Sequence, residues 1–194
     1  MFAKTGPVSG QGGGIRMRLR SKVFAFALAA SGVSAHSAWA LAGCDAFSAA
    51  LRANASDMQV EFAHAIVVSR TRSDTNVFDV TTKVDIDATL SCRGDEFLRF
   101  EARIGEPANA RTTTNFERFQ TAALRAAVGW DAAKSRGVLR GMSADAREFL
   151  SASRQRGDVY LAGKTEEHEP GGVSLGLMAT ETDRTFVIVG PGAQ

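Results

Sequence analysis

Between positions 78 and 92 the chain alternates without a break. Phe78, Val80, Thr82, Val84, Ile86, Ala88, Leu90 and Cys92 hold the even positions, and Asp79, Thr81, Lys83, Asp85, Asp87, Thr89 and Ser91 the odd ones. Successive strand residues face opposite ways, so this period of two predicts a long antiparallel strand with one buried and one wet face. Arg93-Gly94-Asp95 turns the chain. Leu98, Phe100, Ala102 and Ile104 then alternate with Arg99, Glu101 and Arg103, which predicts the partner strand. Upstream, Phe47, Ala50 and Leu51 recur at helical spacing within residues 45–54. Residues 58–69 read as a strand, alternating through Met58, Val60 and Phe62 and then apolar at Ile66-Val67-Val68, with a polar turn over 71–76.

In the second half the period changes to that of helices. Thr114-Asn115-Phe116-Glu117 fits a capping box, in which the Thr oxygen and the Glu carboxylate satisfy each other's exposed backbone donors. The helix it opens runs to about Trp130, with Phe116, Phe119, Ala123, Ala127 and Trp130 inward. Ser143 caps another helix, 144–155, which buries Ala146, Phe149 and Leu150 and stops at Gly157. Three strands close the chain over 158–164, Val173–Thr180 and 185–189, with turns at Pro170-Gly171-Gly172 and Asp183-Arg184. The order α-βββ-α-α-βββ, strands in runs around paired helices, predicts an antiparallel α+β fold and not a parallel βαβ one. This order is similar to that of bacterial secretion-chaperone-like domains. No motif is shared, so the likeness implies an architecture and no function.

Charge separates the first forty residues from the rest. Residues 1–40 carry five basic side chains (Lys4, Arg16, Arg18, Arg20, Lys22) and no acidic one, which leaves 18 basic against 21 acidic residues beyond them. Arg16 to Lys22 form a cationic segment ahead of 13 apolar and small residues, 23–35, too few for the ~20 that span a bilayer. Small residues and a cutting site follow, so 1–40 is expected to be a leader with a signal peptide, its true start at Met17, and 41–194 a single α+β domain. The predicted location is periplasmic or secreted. The remaining chain is mildly acidic, and its charge gives no reason to expect nucleic acid as a partner. No other stretch is long and apolar enough to span a membrane.

Ala38-Trp39-Ala40-Leu41-Ala42-Gly43-Cys44 offers two cutting signals. Ala-Trp-Ala is the small-x-small pattern of a general signal peptidase. Leu-Ala-Gly-Cys matches a lipobox, which would leave Cys44 as a lipid anchor. Cys44, however, lies 22 residues beyond Lys22, and helix begins at once after it. Two cysteines in an oxidising space usually pair. Cleavage after Ala40 and a Cys44–Cys92 disulfide are therefore favoured, with membrane attachment expected only if Cys44 is lipidated.

Candidate chemistry is sparse. Gly172-Val173-Ser174-Leu175-Gly176 matches the G-x-S-x-G nucleophile elbow, but that chemistry needs a strand, a sharp turn and a helix, with a histidine later in the chain. Gly163-Lys164-Thr165 resembles the end of a phosphate-binding loop, yet Asp158 stands where its first glycine belongs. Glu166, Glu167, His168 and Glu169 could bind a divalent cation, but neighbours on an extended chain point opposite ways. A solvated acidic loop is favoured over a metal site there, and His64 is expected to be a structural residue within a strand. No catalytic residue and no cofactor is expected. The chain reads as a non-catalytic binding or envelope-associated domain for an unknown protein or envelope ligand. The alternatives are a lipoprotein anchored at Cys44 and a metal-assisted hydrolase using His168 and nearby carboxylates.

Overall fold

The computed structural model describes residues 43–71, 76–158, 162–169 and 171–193; the predicted leader, 1–40, and the turn residue Pro170 lie outside them. The described elements follow in the order α1 (Cys44–Asp57), β1 (Val67–Arg70), β2 (Val77–Thr81), β3 (Asp87–Arg93), β4 (Glu96–Gly105), α2 (Ala110–Val128), α3 (Ala132–Arg156), β5 (Ala162–Glu169), β6 (Val173–Thr180) and β7 (Asp183–Val189). All seven strands join one sheet in the order β1-β2-β3-β4-β7-β6-β5, and every neighbouring pair is antiparallel. The fold is α+β, with the strand runs and the helix pair in the expected order and one strand more than expected in the first run.

The long alternating segment is divided. Residues 82–86 fold it back on itself, so β2 pairs with β3 through Val77↔Ser91, Phe78↔Leu90 and Asp79↔Thr89. Thr82 Oγ1 donates to the Val84 and Ile86 carbonyls at 2.7 and 3.2 Å and fixes the turn. The parity of the pattern survives the fold: Val80, Ile86, Ala88, Leu90 and Cys92 are all buried.

Several boundaries move. Met58 ends α1 and does not open a strand. Gln59 and Phe62 have left-handed backbones (φ 57° and 56°), which no strand accommodates, so only Val67–Arg70 pairs. His64 sits, exposed, in the 3-10 turn Ala63–Ala65, outside any strand. This irregular stretch is held from α2. The Glu61 backbone N–H donates to Asn115 Oδ1 at 2.9 Å, and the Arg111 guanidinium grips the Glu61 carboxylate, holding that carboxyl below its usual range. The α2 cap is Asn109, whose side chain accepts from the Thr112 N–H at 2.9 Å; Thr114 lies inside the helix. Asp131 likewise caps α3 by accepting from the Lys134 N–H at 2.8 Å, so Ser143 is mid-helix. Helix α3 ends at Gly157, which takes the left-handed φ of 72°. Asp158 does not begin a strand but closes that helix end, accepting from Ser153 Oγ at 2.6 Å and Arg156 Nη2 at 2.8 Å. Phe149, read as inward, is 55 % exposed. Asp183 and Arg184 belong to β7, and the turn before them is Glu181-Thr182.

One layer of helices covers one face of the sheet. Helices α1 and α2 pack over β4, α2 also reaches β7, and α3 lies on β5 and β6. The core between the layers is centred on Phe47, Phe100, Phe116, Phe119 and Phe186, each at most 1 % exposed. Helix α3 crosses β5 so closely that a Cβ on Gly163 would overlap the Ala146 carbonyl oxygen; only glycine fits there.

At the other end, Cys44 and Cys92 form a disulfide with Cα atoms 6.3 Å apart, as the cysteine count predicts. The Cys44 N–H also donates to the Asp95 carbonyl at 2.7 Å, and the Asp45 N–H to Asp95 Oδ1 at 3.1 Å, so α1 is pinned to the β3–β4 turn by three bonds. No helix among the described residues is long and apolar enough to cross a membrane.

Candidate functional site

The helices leave the second face of the sheet open. Strand register sets its residues in rows across β4, β7, β6 and β5. The first row is Arg99, Val189, Ser174 and His168; the second is Glu101, Val187, Gly176 and Glu166; the third is Arg103, Thr185, Met178 and Lys164. The two central strands carry small or apolar residues, and the two outer strands carry long charged ones. The result is a trough of about 610 Å³ with a floor of Val187, Val189, Met178 and Gly176 and charged banks on either side. Gly176 contributes no side chain, which deepens the middle of the trough.

The banks are internally neutralised. Arg99 pairs with Glu101 at 2.6 Å, Lys164 with Glu166 at 2.5 Å, and Arg103 lies 3.5 Å from Asp87 and 3.8 Å from Asp183. The Lys164 ammonium hydrogen-bonds the Glu166 carboxylate and holds its carboxyl below the usual range, so Glu166 stays charged at neutral pH. Each pair is more than one-third exposed at one partner or both, so its strength is modest and falls with salt. Their effect is to present alternating charge beside an apolar floor.

The acidic run is strand and not the loop expected. Residues 162–169 pair with β6 over their whole length, from Ala162↔Thr180 to Glu169↔Val173. Glu166 and His168 therefore face the trough, and Glu167 and Glu169 face the other way. Among the described residues no three His, Cys, Asp or Glu side chains gather as a metal site. A simpler physical account exists for the cluster: β5 is an edge strand, and charged side chains on an edge discourage pairing with a second chain.

The register does bring together two residues that the sequence kept apart. His168 stands opposite Ser174, and its Nδ1 lies 2.8 Å from Ser174 Oγ. This is the contact a serine nucleophile and its base would make. The surroundings do not support that chemistry. Ser174 lies on a strand laddered on both sides, not on a strand–turn–helix elbow, so its neighbouring backbone N–H groups are committed to β5 and β7. Those N–H groups are not available to hold an oxyanion. Gly163-Lys164-Thr165 is likewise within β5, where no loop can wrap a phosphate.

Sequence reasoning did not assemble the trough. One bank was legible as the polar face of β4, but the other, on β5, and the pairing of β4 with β7 were not. One signal was present: Phe186-Val187-Ile188-Val189 is apolar at every position, which marks a strand with an apolar surface on both faces. Comparison with protein-family models, with curated proteins and with solved structures finds no match for this chain.

Proposed function

We propose that this protein is an exported binding domain, periplasmic or secreted, which holds an extended segment of a partner protein in the trough and performs no covalent chemistry. The observation that carries this reading is the half-buried apolar floor of Val187, Val189 and Met178, open to solvent between two charged banks. A buried apolar centre with a polar rim is the arrangement of a protein-recognition surface. The floor strands are already paired on both sides, so the partner is recognised by side chains and not by adding a strand. Export is supported by the cysteine chemistry, since a buried disulfide persists in oxidising compartments and is rare in the cytosol. Lipid attachment at Cys44 is the competing arrangement. A thioether and a disulfide cannot share one sulfur, so a lipid-anchored form would leave Cys92 as a free thiol.

The test uses peptides selected for binding from a displayed library of extended 10-residue segments. Enriched sequences are expected to carry apolar residues in the middle and charges at both ends. Val187→Arg, which sets a long cation on the floor, is expected to weaken them at least tenfold without altering the melting temperature by more than a few degrees. Peptides that bind Val187→Arg as well as wild type would place the partner elsewhere.

A further inference from the structure

On the helix side of the sheet, α1, α2 and α3 border a second groove, of about 720 Å³. Arg136, Arg140, Ser143 and Arg147 line it from α3, at spacings of four, three and four residues, and so form one stripe along the helix. At 1.5 Å of rise per residue the stripe extends ~16 Å. Arg136, Arg140 and Arg147 are exposed, and no carboxylate lies within ion-pair distance of any of them among the described residues. Three like charges along one helix face repel one another, and among the described residues none of them is held in an ion pair.

The other cations at the groove are already engaged. Arg118 Nη1 donates to the Gln59 carbonyl at 2.8 Å, and Arg184 pairs with Glu106 at 2.5 Å. Of the two carboxylates on its wall, Asp57 is bound by Arg125, which leaves Glu117. A second and independent feature lies on α2. Gln120 lines the same groove, is 2 % exposed, and its Nε2 has no hydrogen-bond partner. Buried amide groups are nearly always satisfied, so an orphaned NH₂ in a groove that three guanidinium groups also line marks a place for an acceptor.

We infer that this groove binds a small oligoanion of the phosphate class. Arg136, Arg140 and Arg147 hold its anionic groups, and the Gln120 side chain, buried in the free protein, turns outward so that Nε2 donates to one of its oxygens. Guanidinium forks match phosphate oxygens in pairs. The steps along the stripe, ~6 Å from Arg136 to Arg140 and ~10 Å from Arg140 to Arg147, call for charge at more than one point of the ligand. The site is independent of the trough and stands or falls without it.

Titration calorimetry of the full chain with tripolyphosphate at low ionic strength tests the assignment. Sub-millimolar binding is expected, weakened at least tenfold in Arg140→Gln/Arg147→Gln. The control Arg52→Gln/Arg93→Gln removes the same charge away from the groove and is expected to bind within twofold of wild type. Gln120→Leu keeps the volume and removes the orphaned amide. It is expected to weaken binding severalfold without lowering the melting temperature, which a purely structural glutamine could not do. No heat at millimolar tripolyphosphate would overturn the proposal, as would equal weakening by the two double variants. Citrate binding as tightly as tripolyphosphate would overturn the assignment to phosphates.

Discussion

Cys92→Ala is expected to lower the stability of the folded chain by about 4 kcal/mol. The disulfide joins residues 48 apart, and closing a loop of that length in the unfolded chain gives a figure of this size in the chain-entropy model. The native state loses as well. Cys92 is fully buried on β3, and Cys44 opens α1, so the bond clamps the helix to the sheet at the end where the helix begins. Without it, that end keeps, among the described residues, the two hydrogen bonds to Asp95 and the packing of Phe47. Urea denaturation of Cys44→Ala/Cys92→Ala, which leaves no free thiol, should show the same loss as wild type in reductant. For a domain of this size the melting temperature should fall by about 10 °C. A loss under 1 kcal/mol would mean that helix packing alone holds α1 in place.

The second large effect is expected at Phe100, where alanine should cost about 3–5 kcal/mol. Phe100 is fully buried on β4 and lies opposite Leu90 of β3 and Ile188 of β7. Its ring centroid is 5.3 Å from that of Phe47 on α1 and 5.9 Å from that of Phe119 on α2. One side chain therefore joins three strands to two helices, and its removal leaves a cavity that none of them can fill alone. Phe149→Ala is the matched control. Phe149 is 55 % exposed on α3, and its loss should change stability by at most about 0.5 kcal/mol. Equal losses in urea denaturation would contradict this view of the core.

Where one face of a strand was buried and the other wet, the alternation alone located it. Val80, Leu90, Phe100, Ala102 and Ile104 are all inward as their positions require. Phe97 was not foreseen, because a shift of register between Ser91 and Cys92 turns it into the core beside Phe47, 4.9 Å between ring centroids. Residues 58–69 misled at their start, because the alternation of Met58, Val60 and Phe62 is too short to separate strand from turn; there the left-handed Gln59 and Phe62 decide, and the strand begins only at Val67. Helix α3 was read as half its length, since Gly137 and Gly141 lower helix propensity along its first turns, and packing on the sheet overrides them. The cysteine pairing was legible because only two cysteines exist. The candidate sites were not, for a different reason. The trough depends on which strand lies beside which, and His168 meets Ser174 only through the β5–β6 register.

Intact-mass spectrometry of the protein from soluble and membrane fractions, with and without reductant, decides whether it is an exported domain stapled by its two cysteines. A soluble species that starts at Leu41 and gains two hydrogens on reduction is expected. A membrane species that starts at Cys44, carries acyl mass and is unchanged by reductant would contradict it.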